Sequence, residues 1–81
     1  NSALSVYPNP IQDIAYLDVN IDKQPTIELS IYDIQGREII RKEMNYTGTK
    51  IPVDLSSLNT GVFILEARIE NEIYRTKINK Q

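Results

Sequence analysis

The sequence predicts an all-β domain: an antiparallel sandwich of about seven short strands. Three observations carry this. Apolar residues recur at every second position in run after run, the period of a strand with one dry face and one wet face. Turn-forming clusters of Pro, Gly, Asn and Asp break those runs about every ten residues. No stretch sustains the i, i+3, i+4, i+7 spacing of an amphipathic helix.

In chain order, Tyr7-Pro8-Asn9-Pro10 comes first and cannot be strand interior, because each proline lacks a ladder donor and restricts its predecessor. Ala15, Leu17, Val19 and Ile21 then alternate with Tyr16, Asp18 and Asn20, and Asp22 to Pro25 reads as a polar loop. Ile27, Leu29 and Ile31 form the next inward row. Asp33 to Gly36 reads as a hairpin turn, with Asp33 as local acceptor and Gly36 able to take positive φ. Arg37 to Met44 contains adjacent Ile39 and Ile40, which break alternation and predict a bulge or an edge.

Asn45 to Gly48 is a further turn, followed by Ile51, Val53 and Leu55; Leu55 to Leu58 has room for one helical turn. Gly61 lets the chain re-enter a strand whose inward residues are Phe63, Leu65, Ala67 and Ile69. Glu70-Asn71 closes the last hairpin, with Asn71 expected in the left-handed conformation. The last run sets Tyr74, Thr76 and Ile78 against Ile73, Arg75 and Lys77, with apolar side chains on both faces, so its inward face stays open. The expected core is Leu17, Val19, Ile27, Leu29, Ile31, Val53, Leu55, Leu58, Phe63, Leu65, Ala67, Ile69 and Ile78. Tyr32 and Tyr74 are expected to meet across strands.

Composition narrows the function. The chain has 81 residues, 41% hydrophobic and 25% charged, enough for one domain with a thin stability margin. The net charge of −2 offers no basic footprint for nucleic acid. No apolar run approaches the length of a membrane helix, so no membrane insertion is expected. With no histidine and no cysteine, the usual general base, zinc ligand and partner of a Ser or Cys nucleophile are missing. The reading is therefore of a protein that is not an enzyme and carries no cofactor and no structural metal. Asp18, Asn20 and Asp22, alternating at a strand end, leave weak calcium coordination open, although no calcium-loop motif is present. The chain does not begin with Met or a signal peptide, so it is expected to be a piece of something longer.

Three landmarks in order carry a family resemblance. They are Tyr7-Pro8-Asn9-Pro10, followed by Asp13 and the alternating strand from Ala15; Ile27-Glu28-Leu29-Ser30-Ile31-Tyr32-Asp33-Ile34-Gln35-Gly36-Arg37-Glu38-Ile39; and Val53-Asp54-Leu55-Ser56-Ser57-Leu58-Asn59-Thr60-Gly61-Val62-Phe63, followed by the basic ending Thr76-Lys77-Ile78-Asn79-Lys80-Gln81. From Tyr7 to Gln81 the chain resembles the type A C-terminal sorting domain of the type IX (Por) secretion system. It departs from that pattern in having Phe63 where Tyr is commoner, and Glu70-Asn71-Glu72 where a glycine often sits.

The resemblance implies an immunoglobulin-like sandwich that directs a cargo protein across the outer membrane. Residues 1–5 would end a linker from the cargo domain, and residues 6–81 would form the sorting domain. A shuttle protein, an outer-membrane translocon and a sortase are the implied partners. The cargo passes through the periplasm, is cut upstream of the domain, and ends attached to the cell surface or released. Pro8, Asn9, Pro10, Gly61, Arg75, Lys77 and Lys80 are the candidate recognition residues. Pro8, Pro10 and Gly61 also have a purely structural reading, and Lys77 and Lys80 one as solvated guards of an edge strand. An open edge would also permit a dimer. The alternative function is an accessory binding module for carbohydrate or protein beside a secreted enzyme, which the absence of Trp disfavours.

Overall fold

A computed structural model of the chain describes residues 4–19, 26–46 and 50–81. It contains seven strands: β1 (Leu4–Tyr7), β2 (Ile14–Val19), β3 (Thr26–Tyr32), β4 (Glu38–Asn45), β5 (Ile51–Asp54), β6 (Gly61–Ile69) and β7 (Glu72–Lys80). They form a three-stranded sheet in the order β1-β2-β5 and a four-stranded sheet in the order β4-β3-β6-β7. All neighbours within each sheet are antiparallel. Two antiparallel sheets with these orders make the expected immunoglobulin-like sandwich.

Alternation decides which face each strand buries. Cross-strand partners share a face, so Leu4 opposite Val19 and Val6 opposite Leu17 turn inward together. Across the other sheet, Ile27, Leu29 and Ile31 stand opposite Ile69, Ala67 and Leu65. Every residue of the expected core is buried, and Leu4, Ile11, Ala15 and Tyr46 join it. The open question about the last strand is settled by register: Ile78 pairs with Phe63, Thr76 with Leu65 and Tyr74 with Ala67, so the even-numbered residues face in.

The turns follow the local chemistry. One Asp33 carboxylate oxygen accepts the backbone N–H groups of Gln35 and Arg37, each at 2.9 Å, while Gly36 takes φ of 89°. Between Ile31 and Tyr32 the register slips, leaving Ile39 as the extra residue of a bulge and largely exposed. Leu58 donates to the Leu55 carbonyl at 3.0 Å, closing a single turn that keeps both leucines in the core.

Four expectations change. Leu4 and Ser5 are not linker: they belong to β1, because Leu4 buries its side chain opposite Val19. In the last hairpin it is Glu70, not Asn71, that takes the positive φ, at 57°. Tyr32 and Tyr74 do not pair, because β6 lies between their strands; the aromatic pair is Tyr7 with Tyr16, ring centroids 6.1 Å apart. Tyr46, within the expected turn Asn45 to Gly48, is a buried core residue. Ile21, the loop Asp22 to Pro25, the Thr47-Gly48 part of the fourth turn, and Asn20 and Asp22 of the calcium reading lie outside the described residues.

Candidate recognition surface

The β1–β2 connection does more than reverse the chain. Proline ends β1 at Pro8, and the segment then crosses to the edge of β7 instead of pairing within its own sheet. Ile11 donates to the Asn79 carbonyl at 2.7 Å, and Gln81 donates to the Ile11 carbonyl at 2.7 Å. This is one bridge of a parallel ladder, centred on Ile11 opposite Lys80. The Asn9 side-chain oxygen accepts the Asn79 N–H at 3.0 Å from 70 residues away, standing in for the backbone carbonyl of a longer strand. The Ile11 side chain is fully buried beneath this junction.

Five of the candidate residues therefore gather at one corner. Pro8, Asn9 and Pro10 form the crossing segment, with both the Tyr7–Pro8 and Asn9–Pro10 bonds cis. Lys80 stands opposite Gly61 in the β6–β7 ladder. Gly61 has φ of 154°, a backbone conformation that L side chains rarely adopt. An open cleft of about 490 Å³ lies beside this corner, lined by Pro8, Pro10, Gln12, Asp13, Ile14, Tyr16 and Gln81. Next to it, the Lys50 ammonium sits 5.9 Å from the Tyr7 ring centroid and 5.0 Å from that of Tyr16, a cation–π arrangement on the outer face of the smaller sheet.

The basic residues divide into three environments. Lys80 is not a solvated guard: its side chain is only 6% exposed, turned inward with the other even-numbered residues of β7. Its ammonium donates to the Gln81 carbonyl at 3.2 Å and lies 4.0 Å from an exposed Asp13 carboxylate. Arg75 is on the outer face, where its Nε donates to Glu66 of β6 at 2.9 Å. Lys77 is exposed on that same face, and among the described residues no carboxylate pairs with it. Arg75 and Lys77 thus lie along the strand from the corner and on the opposite face from Lys80.

Ionisation is shifted at Asp33, Asp54 and Tyr74. The Asp33 carboxyl is held below its ordinary value, chiefly by the Arg37 backbone N–H and then by the Arg37 guanidinium and the Gln35 N–H, against some desolvation. Asp54 is lowered mainly by the hydrogen bond it accepts from the Ser56 backbone N–H. Burial, and then neighbouring Glu72, pushes the Tyr74 phenol up. Among the described residues no group of three or more His, Cys, Asp or Glu side chains could hold a metal ion. The residues that sequence reasoning missed here are Ile11 and the Asn9–Asn79 link. A lone apolar residue between Pro10 and Gln12 has no periodicity to reveal its burial.

A small sandwich in which Asn9 and Ile11 are bonded to Asn79 and Gln81 offers shape, edges and surface charge to a partner. The model of the family described as "secretion system C-terminal sorting domain" matches residues 5–81, and the chain belongs to that family, the sorting domains of the type IX secretion system. Among curated proteins, no sequence matches the chain. The family is one of secretion signals rather than enzymes, and membership means export to the cell surface or the medium by way of the type IX machinery.

Proposed function

We propose that the folded domain, not a linear motif within it, is the address label. A shuttle protein and the outer-membrane translocon read it in the periplasm, and a sortase cuts upstream of β1, leaving the cargo attached to the surface or released. The observation that supports this is the bonding of Asn9 and Ile11 to Asn79 and Gln81. The motif that opens the domain and the strand that closes it form one surface only when the sandwich is folded. Pro8, Asn9, Pro10, Gly61 and Lys80 act in this reading by building and holding that corner, and Arg75 and Lys77 act as contacts on the outer face of β7.

The test is a reporter with a signal peptide and this chain at its end, expressed in a host carrying the type IX system. Its mature form is mapped by mass spectrometry. The expected product is an exported reporter that has lost everything from β1 onward. An exported reporter still carrying Tyr7 to Gln81 would rule out sortase removal.

A further inference from the structure

We infer that the outward edge of β7, at Ile73, Arg75 and Lys77, is where a partner of the secretion machinery adds an extended, acidic segment as an extra strand. This rests on the sorting role proposed above and names the surface and the chemistry that serve it.

The direction of the backbone groups follows from the corner. Asn79 and Gln81 turn their backbone groups away from β6, toward Asn9 and Ile11. Successive residues of a strand point theirs to alternate sides. The β6–β7 register is unbroken from Gly61 opposite Lys80 to Ile69 opposite Glu72. Ile73, Arg75 and Lys77 therefore aim their N–H and C=O groups outward as well, and among the described residues nothing bonds to them. Ile11 already pairs with this edge in parallel fashion one step further along. The chain thus demonstrates on itself that the edge accepts a strand.

The other three edges are poorer templates. Strands β1 and β5 have four residues each, β1 running into Pro8 and β5 containing Pro52. Strand β4 is bulged at Ile39 and carries Glu38, Arg41, Lys42 and Glu43. Strand β7 has nine residues, without proline or bulge.

Charge selects the occupant. Lys77 is exposed without a carboxylate partner, and Arg75 beside it keeps most of its side chain in water. Arg75 already donates to Glu66, so an incoming strand with Asp or Glu opposite Lys77 would supply the carboxylate that Lys77 lacks. A second copy of this chain is a poor occupant. Two-fold antiparallel pairing centred on Arg75 sets it against itself and brings Lys77 alongside the same cluster of positive charge.

The experiment compares Lys77→Ala, Lys77→Glu and Lys77→Pro in the exported reporter. Proline at 77 deletes an outward N–H and spares the ladder to β6. Export of Lys77→Pro should fall about fivefold or more below Lys77→Ala, the scale of one lost hydrogen bond. Lys77→Glu should fall below Lys77→Ala as well. Equal export of the alanine and proline variants overturns the docking edge while the sorting role stands. A wild-type reporter that never leaves the cell overturns the sorting role itself. The second measurement does not depend on how the variants fold: amide hydrogen exchange of the wild-type chain with and without the purified type IX translocon. Ile73, Arg75 and Lys77 should slow on binding, and unchanged exchange at all three overturns the inference. A wild-type dimer in sedimentation that Lys77→Pro dissolves overturns the choice of occupant.

Discussion

Replacing Ile11 by Ala should cost this domain a large part of its stability, although Ile11 belongs to no strand. Its side chain is fully buried where the crossing segment meets the end of β7. The substitution removes three buried carbons, worth about 0.8 kcal/mol each, and leaves a cavity. Together these give roughly 3 kcal/mol. A chain of this length has about 4–12 kcal/mol in total. A domain of this size loses about 4–8 °C of Tm per kcal/mol, so the midpoint should drop by roughly 10–25 °C. Thermal unfolding followed by far-UV circular dichroism measures it. Ile11→Val should cost only about 1 kcal/mol, as usual for that change in a core. Asn9→Ala should also cost about 1 kcal/mol, for one side-chain hydrogen bond to the Asn79 N–H. The Asn9 and Ile11 changes should couple in a double-mutant cycle, because both residues bond to Asn79 at the end of β7. An Ile11→Ala midpoint within about 4 °C of wild type, the scale of less than 1 kcal/mol, would mean that the Ile11 side chain does not hold this junction together.

Other perturbations have equally definite outcomes. Gly61→Ala should destabilise by about 1–3 kcal/mol from backbone strain alone, because the new Cβ meets only the Phe63 ring at an ordinary 3.9 Å; urea midpoints report it. Acid should destabilise through Asp33 and Asp54. Both titrate below their ordinary value when folded, so their contribution is fully present above about pH 4 and is lost as pH falls through the folded values. The Asp33→Asn, Asp54→Asn double variant should show a flatter Tm profile below pH 4. Deleting Lys77 to Gln81 should unfold the domain rather than trim a tail, because it takes away buried Ile78 and the partners of Asn9 and Ile11; proteolysis of the truncated chain would show it.

Strands with one dry face announce themselves in sequence, and β2, β3, β5 and β6 were legible because period-two alternation is a local signal. The β4 bulge was legible from the adjacency of Ile39 and Ile40. Strand β1 was not, because Leu4 to Tyr7 is short and lies beside a proline cluster that reads as loop. The inward face of β7 could not be chosen from its own residues, since Ile73 and Ile78 have opposite parity; only the partner strand settles it.

The candidate site was legible as a set of motifs and not as a place. Pro8 to Pro10 and Lys77 to Gln81 are both visible as landmarks, but their contact spans 70 residues and depends on two sheets closing over a core. Burial of Lys80 was hidden for the same reason. A lysine near a chain's last residues reads as solvated until the register turns it inward opposite Gly61.

Whether the folded domain is the export signal is tested by a reporter with a signal peptide, carrying Leu4 to Gln81 at its end, in matched hosts with and without the type IX translocon. Reporter should appear at the surface or in the medium only where the translocon is present, and Ile11→Ala should abolish that export at temperatures where the variant is unfolded. Equal export from both hosts, or undiminished export of the unfolded variant, would contradict a sorting signal that is read as a folded domain.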